Sequence, residues 1–329
     1  MQRQHLLEKW LSGLYSNQPF SLAPASADAS FRRYFRATFT DGNTLIVMDA
    51  PPQHEDCKPF IHIAKIFENA GTHVPHIYAQ DLEQGFLLLS DLGSSTYLQV
   101  LNADNAPQLY AQATDALIEI QLASRENQLP SYDEALLRRE LNLFPEWYIS
   151  KHLGITLNAK QLDALERSFK RILENNLAQP SVYVHRDYHS RNLMLSEPNP
   201  GILDFQDAVY GPITYDLASL FKDAYIKWEE HEVMDWLIRY WEKARKAGLP
   251  VREDFGEFYR DYEMMGVQRH IKVLGIFARL YHRDGKEGYL KDMPLVLDYL
   301  RRACARYIDL KPLSNLLMEF DMLSEASAP

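Results

Sequence analysis

Oxygen-bearing side chains are concentrated in the run VYVHRDYHSRNLML and in GILDFQDAVYGPITYDLASL shortly after it. His185-Arg186-Asp187 opens a loop, Asn192 lies five residues beyond Asp187, and Asp204-Phe205 begins twelve residues beyond Asn192. Phosphoryl transfer asks a protein for an oriented nucleophile and for cations on the phosphate oxygens, and for little covalent chemistry. A carboxylate at Asp187 suits the proton of an attacking hydroxyl. Asn192 offers a neutral oxygen and Asp204 an anionic one to Mg²⁺, a hard cation that keeps part of its shell for water and substrate phosphates. The plain alternative is a turn in which Asp and Asn cap backbone groups. A lone H-x-D would fit that alternative; the ordered set of His185, Asp187, Asn192 and Asp204 between apolar runs favours chemistry.

Such residues need elements to hold them. Residues 182–184, 193–195 and 201–203 read as short strands around the loop. Leu6, Leu7, Trp10, Leu11 and Leu14 recur at helical spacing and predict an opening amphipathic helix, ended by Pro19 and Pro24. Residues 31–39 and 44–48 flank Asp41-Gly42-Asn43 and predict a hairpin. Residues 59–70 read as a helix with Gly71 at its C-terminal cap, and 77–80 with 86–89 as a second strand pair. After Gly93 the texture turns helical, with one stretch over 135–148 interrupted by Pro145, and it stays helical from Tyr215 almost to the end. The expected class is α+β, with a small β-rich N-lobe over residues 1–90 and a larger helical C-lobe over 91–329.

The catalytic set matches the kinase template H-R-D-x-x-x-x-N followed by an Asp at a strand end. Protein kinases place D-F-G, a long activation segment and A-P-E after it. Here Asp204-Phe205-Gln206-Asp207 runs into GPITYDLASL, and only twelve residues separate Asp204 from Asp216. These features, with an LLLSDLG segment, resemble the aminoglycoside phosphotransferase family, the small-molecule branch of the two-lobed protein-kinase-like fold. The segments ASFRRYFR, MDAPP, ELNLFPEWY and RHIKVLGIFARLYHRDGK resemble the branch that phosphorylates the anomeric hydroxyl of N-acetylmuramate and N-acetylglucosamine in cell-wall recycling. The resemblance implies ATP and Mg²⁺, with Asp187 catalytic, Asn192 and Asp204 on the metal, and Ser90 and Leu92 near the adenine. It also implies a sugar 1-phosphate product that feeds a nucleotidyltransferase making a UDP-sugar. The alternatives are a kinase of another small hydroxyl acceptor, such as an aminoglycoside, an amino alcohol or a different sugar, and a nucleotide-binding module without catalysis.

The template is not matched everywhere. A kinase carries a strand-three Lys, paired with a helix Glu, that grips the phosphates. In Leu45-Ile46-Val47-Met48-Asp49 the cation is missing, Asp49 stands where it is expected, and Phe60 stands near the Glu position. Arg32 or Arg33, with the small residues Ala29 and Ser30 beside them, are the expected phosphate contacts. Glu140, Asn142, Trp147, Gln206, Arg269 and His270 are the candidates for the sugar, Arg269 for its lactyl carboxylate. Asp216 reads as a helix N-cap and His185 as a support of the loop. Val273, Leu274, Phe277 and Leu280 read as core.

Composition narrows the partners. The 329 residues are 46% hydrophobic and 24% charged, with 14 Gly and 17 Pro, which excludes collagen-like, coiled-coil and largely disordered chains. A net charge of -10 disfavours nucleic acid as a partner. Cys57 and Cys304 are too few for a disulfide scaffold. Glu8 and Lys9 interrupt the apolar run a signal peptide needs, and no segment is apolar for long enough to span a membrane. The expectation is a cytoplasmic protein with a small-molecule amino sugar as its substrate.

Overall fold

Leu7 and Leu11 lie one helical turn apart and need an apolar surface, which alternate residues of three strands supply. The computed structural model describes residues 2–16, 18–27 and 31–326. Helix α1 (Gln2–Leu14) precedes strands β1 (Phe20–Ala27), β2 (Arg33–Phe39) and β3 (Thr44–Asp49); α2 (Cys57–Asn69), β4 (Ile77–Asp81) and β5 (Phe86–Ser90) follow. The strands form one antiparallel sheet in the order β1-β2-β3-β5-β4. Leu7 and Leu11 pack on Phe35, Ala37, Phe39, Val47, Phe86 and Leu88, all on the same face of the sheet. Gly42, with φ 87°, closes the β2–β3 hairpin by donating its N–H to Phe39 O. Asp56 caps α2 by accepting from Lys58 N, and Gly71 ends it at φ 86°.

One strand differs from expectation. Pro24 is not a stop but a member of β1, an edge strand with a register shift between Pro24 and Ser26. Proline is tolerated there because an edge strand can do without one ladder donor.

The remaining strands and α-helices are α3 (Tyr97–Val100), α4 (Ala106–Leu122), α5 (Glu134–Leu143), α6 (Ala159–Leu177), β6 (Ser181–Val184), β7 (Leu193–Met194), β8 (Gly201–Ile202), β9 (Val209–Pro212), α7 (Tyr215–Phe221), α8 (Glu230–Lys246), α9 (Phe255–Asp284), α10 (Met293–Arg306) and α11 (Lys311–Ala326). Pro145, which lacks an N–H, ends the regular α-helix α5, and a wider π-helical stretch continues over Phe144–His152. Strand β9, which the sequence reading lacked, pairs with β6. The chain divides into two units, residues 1–100 with 192–207, and residues 101–191 with 208–329. The β7–β8 hairpin thus groups with the sheet.

Helix α9 organises the second unit. It is capped by Asp254, runs for 30 residues, and has the buried residues Val273, Leu274 and Phe277 along its expected stripe. Leu280, the last of that stripe, is only half-buried. The helix also buries Glu263, Gln268, Arg269, His270 and Lys272, so each of these must find partners inside the unit. Gly275 lets α9 approach α5: a Cβ added there would lie 2.5 Å from the backbone carbon of Leu143. Gly275→Ala should push the two helices apart and cost about 1–3 kcal/mol. The expected readout is a lower urea midpoint with an unchanged slope; a midpoint equal to that of the parent would refute this close packing.

Candidate active site

The loop from His185 to Arg191 leaves β6 and is pinned at four places. Asp216, on the first turn of α7, accepts the backbone N–H groups of His185 at 2.6 Å and Arg186 at 3.0 Å. It is therefore not the N-cap the sequence suggested, because its carboxylate is taken by the loop. Burial pushes that carboxyl up to about 7, against the two N–H donors. Tyr188 donates its hydroxyl to Ala113 O at 2.8 Å, and Ser190 donates both its N–H and its hydroxyl to Asp223. Arg269 donates to Arg186 O at 3.0 Å. With these anchors Arg186 is held at φ 76°, a left-handed conformation that a non-glycine residue rarely adopts. His185 supports the loop, since its Nδ1 accepts from Asp187 N at 3.2 Å.

Asp187 keeps 41% of its side chain exposed and lies 3.8 Å from Arg269 Nη1. Burial alone would raise its carboxyl. Lys272 and Arg269, with help from His189 and Arg186, outweigh that and pull it well below the ordinary carboxylate range. The charge at Asp187 is thus maintained from α9. Lys272 was not among the candidates read from the sequence, though a lysine between Ile271 and Val273 in an apolar helix signals a buried partner.

That partner is Glu140 of α5. Its carboxylate accepts from Lys272 Nζ at 3.0 Å, Arg186 Nη2 at 2.5 Å, Gln268 Nε2 at 3.1 Å, and the Tyr132 hydroxyl. Tyr215 joins the cluster by accepting from Lys272 at 2.9 Å, with Arg269 Nη1 at 3.5 Å. Glu140 and Arg269 thus belong to one network beside Asp187. Both are buried, and Arg269 is already engaged by a backbone carbonyl and a hydroxyl. His270 points elsewhere: its Nε2 lies 3.4 Å from Lys222 O and its ring stacks on Tyr299. Asn142 on α5 and Trp147 on the π-helical stretch are half-buried, and among the described residues no hydrogen bond or ring contact joins them to the cluster.

The second group of candidates lies in the other unit. The β7–β8 hairpin pairs Leu193 with Ile202, and Leu203 N donates to Asn192 O at 2.9 Å, so the residues flanking the hairpin meet. Asn192 Nδ2 donates to Asp204 Oδ2 at 3.3 Å, and Gln206 Nε2 to Asp204 Oδ1 at 2.7 Å. Asp204 has φ 62°. The Gln206 Oε1 atom is buried without a hydrogen-bond donor. A carboxylate, an amide side chain and an orphaned amide oxygen form a hard-oxygen donor set, which fits Mg²⁺. Phe205 packs under α2, 4.8 Å from Phe60 and 5.9 Å from Phe67. An aromatic contact therefore stands where the helix Glu is expected.

The arginines of the first unit are sorted by face. Asp49 is fully buried and paired with Arg3 of α1 and with Arg33, on the α1 face of the sheet. Met48, cross-strand from Tyr34 and Leu87, occupies the opposite face. Asp49 therefore does not replace an inward-facing lysine, because β3 alternation turns it toward α1. Arg32 lies near Tyr34 and donates to Glu55 at 3.1 Å. Ser90 is bound to His76 in both directions, and Leu92 is buried beside Gly201. Ala29 and Ser30 fall outside the described residues.

Glu140 offers a stability test. Burial would raise its carboxyl, but Lys272 and Arg186 hold it down at about 2, against an ordinary 4.5. A carboxyl depressed on folding stabilises above its ordinary value, and that contribution is lost as pH falls from about 4.5 toward 2. Glu140→Gln should cost about 3–5 kcal/mol at pH 7 by leaving cations buried without their anion. The gap from the parent protein should narrow in urea titrations below pH 4.5. A gap that is constant with pH would refute the ion-pair account.

Comparison with known proteins places this geometry. Residues 21–255 match the Phosphotransferase enzyme family. An N-acetylmuramate/N-acetylglucosamine kinase of Neisseria meningitidis serogroup B is 51% identical over 97% of this chain and 96% of its own. One from Pseudomonas aeruginosa is 54% identical over 94% and 91%. Among solved structures, the ADP-bound aminoglycoside phosphotransferase APH(2'')-Ib superposes with a TM-score of 0.59 at 15% identity, covering 89% of this chain and 96% of that one. The structural likeness carries the fold, α+β and kinase-like. With the family match over most of the chain, the conclusion is that this chain belongs to the phosphotransferase enzyme family.

Proposed function

We propose that this enzyme transfers the γ-phosphate of ATP to the anomeric hydroxyl of N-acetylmuramate and N-acetylglucosamine. The observation that carries the reading is the carboxylate of Asp187, kept ionised by Lys272 and Arg269 in a loop held by Asp216. The high identity to kinases named for these two sugars supports the acceptor class.

Asp187 orients the anomeric hydroxyl by accepting a hydrogen bond from it. As the O–P bond to the γ-phosphorus forms and the bond from that phosphorus to the β–γ bridging oxygen breaks, the hydroxyl proton passes to the Asp187 carboxylate and ADP leaves. A carboxylate this acidic is a weak base, so its proton is taken late and orientation is its larger contribution. The ring oxygen lowers the demand by acidifying the anomeric hydroxyl. Asn192, Asp204 and Gln206 would hold Mg²⁺, which supplies positive charge to the phosphate oxygens. Arg32, held by Glu55, and Arg33, held by Asp49 with about half of its side chain exposed, are both candidates for a phosphate contact. The sugar 1-phosphate would feed a nucleotidyltransferase in the cytoplasm; no helix among the described residues is long and apolar enough to cross a membrane.

Coupled ADP release over an acceptor panel tests the reading. Both amino sugars should release ADP with an equal loss of reducing ends. Retained reducing ends would move the transfer to another hydroxyl, and the absence of ADP with every acceptor would leave a module that only binds nucleotide. Asp187→Asn should lower kcat by about 10²–10⁴; turnover near that of the parent would remove Asp187 from the mechanism.

A further inference from the structure

The catalytic loop carries one more cation, which the reaction above leaves unused. Arg191 lies four residues beyond Asp187. Its guanidinium sits 3.5 Å from the Tyr225 ring centroid, with Tyr289 at 6.0 Å. Its nearest carboxylate, Asp292, is 3.9 Å away, too far for a hydrogen bond, and Asp292 Oδ2 has no hydrogen-bond donor. Among the described residues no acceptor takes a hydrogen bond from the Arg191 guanidinium, and 37% of the side chain is exposed. The contrast with its neighbours is sharp. Arg186 is engaged by Glu140, and Arg269 by Arg186 O and Tyr215. Of these three arginines, Arg191 is the one that, among the described residues, has no hydrogen-bond acceptor for its planar fork.

The chemistry of that fork selects its partner. A guanidinium fixed on an aromatic face meets a carboxylate through two parallel hydrogen bonds, which a neutral hydroxyl cannot reproduce. Arg191 and Asp187 sit on the same short loop four positions apart, so their Cα atoms are separated by at most about 14 Å, a span that a sugar and two side chains can bridge. The two proposed acceptors differ in one feature: N-acetylmuramate carries a lactyl carboxylate on its C3 oxygen, and N-acetylglucosamine has a free hydroxyl there. We propose that Arg191, supported by Tyr225 and Tyr289, is the specificity residue that receives the lactyl carboxylate of N-acetylmuramate. This assignment moves that role from Arg269 to Arg191, and it rests on the amino-sugar reading given above.

The test compares kcat/KM for N-acetylmuramate, its carboxamide and N-acetylglucosamine. Arg191→Met should lose about 10–100-fold on N-acetylmuramate, mainly through KM, because charge-assisted hydrogen bonds to the acid are removed. The loss on N-acetylglucosamine should be at least about tenfold smaller, since the neutral sugar makes no such bond. The parent enzyme should discriminate against the carboxamide, the Met variant should not, and Arg191→Lys should restore part of the preference. The carboxamide comparison on the parent enzyme needs no variant to fold. Equal losses on both sugars, or no discrimination between acid and carboxamide by the parent, would overturn this inference alone. A parent enzyme inactive on both sugars would overturn the amino-sugar reading and this assignment with it.

Discussion

Glu140 is 5% exposed within a helical unit, and the charge of its carboxylate sets the terms for the groups around it. An ion buried this deeply is tolerated only with several donors in good geometry. Lys272, Arg186, Gln268 and Tyr132 supply them from α9, the loop after β6 and the segment before α5. The arrangement has a second effect. Two cations required by Glu140 also act on Asp187, so one buried anion maintains another that is half-exposed. The close passage of α9 over α5 at Gly275 lies three residues from Lys272, the α9 partner of Glu140.

This electrostatic layout suits a reaction that needs direction more than basicity. A loose phosphoryl transition state places little bond formation on the nucleophile, so a permanently ionised, well-oriented carboxylate is more useful than a strong base. The loop is correspondingly rigid: Asp216, Asp223, Ala113 O and Arg269 each fix a different backbone or side-chain group. The left-handed conformations of Arg186 and Asp204 are the local cost of aiming neighbouring groups.

How far the sequence alone could be read follows from which forces are local. Asn192 and Asp204 meet because two short strands between them pair, and the spacing of apolar residues announces that hairpin. The β2–β3 hairpin was equally plain from Gly42. Strand β1 was hidden because Pro24 reads as a terminator, and only its place at the sheet edge makes it acceptable. The partners of Glu140 were out of reach for a different reason: Lys272 lies 132 positions away, and helical periodicity says that a residue is buried without saying against what. Asn142 and Trp147 drew notice by residue type alone, and among the described residues no hydrogen bond ties them to the charged cluster. Arg3 escaped notice because a charge on an amphipathic helix usually faces water, whereas here it reaches Asp49 and the carbonyl of Gln84.

The clasp of Arg3 and Arg33 on Asp49 reaches beyond local stability. It commits the end of the third strand to the side sheathed by the first helix, so the lysine missing from this fold cannot be reinstated by charge reversal at that position. A cation introduced there would confront two guanidinium groups, leaving the neighbouring methionine, which looks the other way, as the place where such a graft has physical sense.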